Sequence, residues 1–202
     1  LDVCRFHEWL VDSAGGSVLG ELSYLVESHT VKSTDDAENL VARMKQGAKA
    51  VDDTIANLRL GLADGRVSSA EKVRRVVEQL DAELGKPVEA WSMTTPAWSE
   101  RYPAQQVALA SIVREQIAPA IVRLRDFLRD ELLPEAHTDK EGLVALPDGA
   151  ACYRASILFH VGIAKAPEDL HQLGLDEIAR TDKELAALGK TVLGTNDLAS
   201  TI

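Results

Sequence analysis

His7-Glu8 begins like a zinc-metalloprotease helix, in which two histidines four residues apart share a face and the glutamate between them serves as base. The second histidine would have to stand at position 11, where the chain has Val11. The motif therefore fails, and Glu8 reads as surface charge. His160 and His171 flank the turn-forming stretch 162–167, which is not standard ligand spacing, so each reads first as a hydrogen-bonded structural histidine. Asp176, Glu177, Asp182 and Glu184 follow as acids expected on a solvated helix. No Gly-x-Ser-x-Gly elbow is present. Gly15-Gly16 and the stretch 61–65 follow no strand and lack the Lys-Ser/Thr of a phosphate loop. Cys4 and Cys152 are far apart, with no Cys-x-x-Cys spacing, so two buried free thiols are expected rather than a disulfide or a zinc site. These residues assemble no catalytic set and no metal site.

The formal net charge of −10 disfavours nucleic acid as a partner, because a chain this acidic repels a phosphate backbone. Arg66, Lys72, Arg74 and Arg75 form one local basic cluster, but Glu71 and Glu78 interleave it, and a solvated helix face is the expected result. No apolar run approaches the ~18 residues a membrane span needs. Leu1-Asp2-Val3-Cys4 matches a lipoprotein cleavage box only loosely, since Asp2 and Val3 are wrong for small-residue cleavage and no apolar run precedes them. The cytoplasm is slightly favoured over export. The chain starts at Leu1 and stops in an Asx-capped apolar stretch, Asn196 to Ile202, so both ends read as cut.

The elements that would position these residues are helices. Apolar residues make up 46% and aromatics only 4% of the chain, with Leu and Ala abundant, which favours helix. Residues 1–33 read as irregular or short helices. Ser33-Thr34-Asp35-Asp36 caps a helix over about 34–62, striped by Leu40, Met44, Val51, Ile55 and Leu58, with Gly47 marking close packing. A second helix follows Ser68 or Ser69 and runs to Leu84, making 34–84 a helical hairpin. Pro87, Pro96 and Pro103 punctuate a connection over 86–103 whose Trp91 and Trp98 dock on the helices. A long helix over 104–133 is expected to kink at Pro119; its stripe is Val107, Val113, Ile117, Ile121, Leu124, Leu128 and Leu132. A second hairpin covers 150–188. The fold class is all-α, a bundle or array of about six to seven helices with long antiparallel hairpins, in one domain over 1–202.

Four stretches carry a family resemblance. They are 35–43 (DDAENLVAR), 61–67 with 76–81 (GLADGRV and VVEQLD), 146–160 (LPDG through Tyr153-Arg154 to Phe159-His160) and 167–178 (PEDLHQLGLDEI). In this order they resemble the bacterial family filed as domain of unknown function 885, from about Thr34 to the C-terminus. The resemblance implies a much longer, largely helical protein that looks like a gluzincin-type metallopeptidase, with its His-Glu-x-x-His motif beyond Ile202. No zinc ligand or general base transfers to this chain; zinc belongs, if anywhere, to a full-length relative. The family often shows His-Thr-Thr where this chain has His160-Val161-Gly162, and Gly-Gly where it has Asp148-Gly149. The implied role is the N-terminal helical half of a cleft. Tyr153, Arg154, His160 and His171 are then the candidates to face substrate, with Tyr or His donating to an oxyanion and Arg pairing a carboxylate. The bland alternative is that these four brace the 150–188 hairpin.

Two readings of function follow. In the first, the chain is the noncatalytic N-terminal portion of a metallopeptidase-like hydrolase, partnered by the C-terminal half of the same protein, and it exposes apolar surface where that half packs. In the second, it is a stand-alone helical binding or scaffold protein, with its surface covered or paired in a homodimer.

Overall fold

A computed structural model describes residues 2–12, 18–138 and 142–195. Two compact units are present, one formed by residues 5–147 and the other by residues 1–4 with 148–202. Every regular element among the described residues is a helix, with no strand. This is an all-α helical bundle.

The larger unit is organised on one rod. Its first part is α5 (Pro103–Ile112) and its second is α6 (Ala118–Phe127). Five-residue π segments, Val113–Ile117 and Leu128–Leu132, join and extend them. Val113, Ile117, Ile121, Leu124, Leu128 and Leu132 are all buried, as their spacing predicts. Val107 departs from the stripe and is 65% exposed; Leu109 and Ile112 take the inward positions instead. Pro119 produces a π turn rather than a bare kink. Proline has no N–H to return to the carbonyl four residues back, and the Ala118 N–H beside it reaches the Val113 carbonyl, five residues back.

Four helices precede the rod: α1 (Val18–Ser28), α2 (Thr34–Met44), α3 (Gly47–Ala63) and α4 (Ala70–Leu84). The expected single helix over 34–62 is therefore two. The break falls at Lys45-Gln46, where the Gln46 N–H bonds the Arg43 carbonyl three residues back. Gly47 restarts the helix in close packing. A Cβ there would lie 2.9 Å from Ile117 Cδ1 and 3.1 Å from Leu22 Cδ2. Both α3 and α4 pack on α6, and α2 packs on α5. Trp91 and Trp98 dock as expected, at 1% and 5% exposure.

Local chemistry sets the helix ends. The Ser33 hydroxyl accepts from the Asp36 N–H at 3.1 Å, and Asp36 Oδ2 accepts from the Ser33 N–H at 2.9 Å, a complete capping box. The Lys32 N–H also donates to Oδ2, at 3.0 Å. That backbone bond first, and the Ser33 hydroxyl second, hold the Asp36 carboxyl below its ordinary value. A carboxyl depressed on folding stabilises the native state above its unfolded pKa, and the contribution is lost as pH falls through the folded value. The stability gap between the native chain and Asp36→Asn should therefore be constant from neutrality to about pH 5 and close in more acid solution. Urea titrations at stepped pH check this, and a gap that widens with acid would contradict it.

At the other end of α3, Gly65 takes φ +70°, and the Arg66 and Gly65 N–H groups return to the Gly61 and Leu62 carbonyls at 2.8 and 3.1 Å. This is a Schellman ending. It turns Arg66 inward. Arg66 is only 6% exposed and donates to the Pro147 carbonyl at 2.8 Å, so it does not belong to the solvated basic face. Lys72, Arg74 and Arg75 remain exposed, with Arg75 paired to Glu71. Ser68 is also buried; its hydroxyl donates to the Trp9 carbonyl at 2.7 Å and leaves Ser69 as the N-cap of α4.

The smaller unit holds α7 (Gly149–Val161) and α8 (Pro167–Val192). Pro167 occupies the first turn of α8 with Glu168 and Asp169, and Gly194 at φ +69° closes its far end. Cys4 and Cys152 form a disulfide, with Cα atoms 4.7 Å apart and no free cysteine in the chain. This overturns the expectation of two free thiols. The bond joins the short 3-10 turn Asp2–Cys4 to α7 across 148 residues of sequence, a pairing that spacing rules do not address.

Candidate functional site

The His7-Glu8 pair sits on a 3-10 turn, Phe6–Glu8, not on an α-helix. Glu8 is not surface charge: it is 4% exposed. Its Oε1 accepts from Arg5 Nε at 2.8 Å and lies 2.6 Å from Arg5 Nη2. Arg5 in turn reaches Asp64 Oδ2 at 2.9 Å. The Arg5 guanidinium is held protonated chiefly by Glu8, against the opposing effect of its own desolvation, with Asp64 adding to it. This cluster ties the turn to the end of α3.

A cleft of about 250 Å³ lies nearby, with Val11, Leu58, Leu124 and Leu128 at its floor and Asp12 and Glu21 at its mouth. It falls below the ~300–1,000 Å³ typical of small-molecule sites.

The four residues singled out in sequence all lie on the smaller unit. Tyr153, Arg154 and His160 are on α7, and His171 is near the start of α8. All four are exposed. Tyr153 and His160 are seven residues apart, so they project from one side of α7 about 10 Å apart along its axis. Phe159 stacks edge-on against the His160 ring at 5.0 Å. Among the described residues no three His, Cys, Asp or Glu side chains form a group that could hold a metal ion. The donor set does not fit zinc, and no step of a zinc reaction is assigned to this chain.

What sequence reading did not single out is the apolar exposure of this unit. Eighteen large apolar side chains are exposed in the described structure, and twelve of them fall between Tyr153 and Leu193. On α7 they include Leu158, Phe159 and Val161; on α8 they include Ile178, Leu185, Leu188 and Val192. The larger unit buries its stripes against the rod, whereas α8 buries only Gly189. Arg180 on α8 pairs with Glu177 at 2.8 Å and Glu184 at 2.6 Å, and Glu177 first and Glu184 second raise its pKa.

Comparison with known proteins places the chain in a family and beside a solved fold. The model of a family described as "Bacterial protein of unknown function (DUF885)" matches residues 5–202. The structure is similar to a crystal structure described as "the putative lipoprotein from Colwellia psychrerythraea", with a TM-score of 0.78 and 18% identity. That similarity covers 91% of this chain and 33% of that one, so the chain spans about a third of its length. No curated protein matches the sequence significantly.

Proposed function

The chain belongs to that bacterial family, and from this premise we propose that it is the noncatalytic helical portion of a larger zinc-metallopeptidase-like hydrolase. In this reading the exposed faces of α7 and α8 form the wall on which the rest of the protein packs. The observation that carries it is the crowding of twelve of eighteen exposed large apolar side chains into the α7–α8 unit. A folded chain rarely leaves such a patch to water unless something covers it. That the chain matches only a third of a similarly folded protein supports the same reading. Tyr153, Arg154, His160 and His171 stand on this wall as substrate contacts, with Arg154 pairing a carboxylate and Tyr153 or a histidine donating to a developing oxyanion.

The Cys4–Cys152 disulfide also moves the compartment away from the cytoplasm, where reductants keep thiols open. No helix among the described residues is long and apolar enough to cross a membrane. The reading is of a protein that matures in an oxidising compartment.

The test is to read the gene beyond Ile202 for a His-Glu-x-x-His motif and to co-express the encoded remainder with residues 1–202. A one-to-one complex with peptide hydrolysis that a chelator abolishes is expected, with no hydrolysis by residues 1–202 alone. A stop codon directly after Ile202, or hydrolysis by the 202-residue chain that survives the chelator, overturns the proposal.

A further inference from the structure

α8 is exposed almost all round, and one of its faces has a period. His171, Ile178, Leu185 and Val192 recur every seven residues, and Gly174, Thr181 and Leu188 fall three residues after the first three of them. This is the alternating three-and-four spacing of a heptad seam, with the first set at a and the second at d. Ile178 is 60% exposed, Leu188 58% and Val192 72%. Gly174 and Thr181 leave a low point in the seam, and a Cβ at Gly174 would meet nothing within 4 Å.

The flanks say what kind of neighbour. In this register the e positions are Glu168, Leu175, Asp182 and Gly189, and the g positions are Leu170, Glu177, Glu184 and Thr191. Every charged residue beside the seam is therefore acidic. The three basic residues, Arg180, Lys183 and Lys190, fall at c and f on the far side. Arg180 reaches back to Glu177 and Glu184, but all three side chains are more than half exposed, so water and salt screen the pair. One arginine also does not neutralise four acids.

These flanks discriminate among occupants. A second copy of α8 would set acid against acid, at g against e in a parallel pair and at g against g or e against e in an antiparallel one. A membrane surface would repel the same acids, since interfacial helices carry Lys and Arg on the polar face. We propose that the α8 seam receives an α-helix whose own apolar heptads are flanked by lysine or arginine. This rests on the reading given above, in which the helix belongs to the remainder of the larger protein.

The test uses the whole 202-residue chain and two synthetic 28-residue helices with leucine at a and d. One carries lysine at every e and g position, the other glutamate; like charge keeps each from pairing with itself. By fluorescence anisotropy the lysine helix should bind at least about tenfold more tightly than the glutamate helix, and the margin should shrink as salt rises. Ile178→Asp with Leu185→Asp should abolish binding with an unchanged circular-dichroism spectrum, since both side chains are already in water. Glu177→Lys, Asp182→Lys and Glu184→Lys together should reverse the preference. Equal binding of the two helices, neither helix binding, a dimer by sedimentation, or capture of the chain by phosphatidylglycerol vesicles would each overturn the proposal. A co-expressed remainder that binds while the lysine helix shows no advantage would remove this inference and leave the proposed function standing. A lysine helix that binds to a protein whose gene stops at Ile202 would do the opposite.

Discussion

Replacing Cys4 and Cys152 together by alanine is expected to lower the unfolding free energy of the α7–α8 unit by about 2–5 kcal/mol. The bond closes a loop of 148 residues. Chain-entropy arguments assign a loop that long roughly 5 kcal/mol, and residual structure in the unfolded chain reduces the figure. The two cysteines are 1% and 3% exposed, so alanine at each also leaves a small cavity, a cost that two free thiols would share. Free buried thiols would leave only that cavity cost and no loss of native stability on adding reductant, and that comparison separates the two cases. Intact mass before and after reduction gives an independent reading, since the native chain should gain two hydrogens. Reductant should also speed proteolysis within Asp2–Cys4 and α7 of the native chain and leave the double variant unaffected. A native protein that titrates two thiols after purification from an oxidising compartment would refute the bond and, with it, the argument for export.

What the sequence disclosed about this fold depended on how far apart the deciding residues lie. The α2 capping box needs only Ser33 and Asp36, and both are recognisable by spacing. The rod's stripe from Val113 to Leu132 is likewise a local pattern. Pro119 announced a lost donor, but the sequence does not say which carbonyl is then paired, so a π turn and a kink look alike from it. The break at Lys45-Gln46 was out of reach because the contacts crowding Gly47 come from Leu22 and Ile117. Glu8 and Arg66 look like surface charges until their neighbours across dozens of residues are known, and the disulfide is the extreme of the same problem. On the candidate site, exposure of the α8 acids was readable from their density. The heptad at 171–192 was readable too, but only once α8 is known to run unbroken to Val192 with that face exposed among the described residues.

Gly61→Ala is expected to destabilise the larger unit by about 3 kcal/mol or more, against the usual sign of the change. In an exposed helix interior, glycine to alanine stabilises by up to about 1 kcal/mol, because it restricts the unfolded chain. At Gly61 the added Cβ would overlap the Glu8 carbonyl and lie 3.0 Å from the Arg66 carbonyl. Both obstacles are backbone, so no side-chain rotation relieves them. The Phe6–Glu8 turn packs on α3 and is tied there through Arg5 to Asp64, and the Gly61 carbonyl accepts the Arg66 N–H that ends the helix. Moving either partner loosens the Schellman ending or the burial of Glu8. Gly174→Ala is the matched control, since α8 leaves that position open; it should stabilise by about 0.5–1 kcal/mol. Denaturant midpoints of the two variants should therefore move in opposite directions. If both move upward, the turn does not approach α3 this closely, and the His7-Glu8 pair regains the freedom that a structural role denies it. If they diverge, the Phe6–Glu8 turn is held against α3 with Glu8 as the buried partner of Arg5.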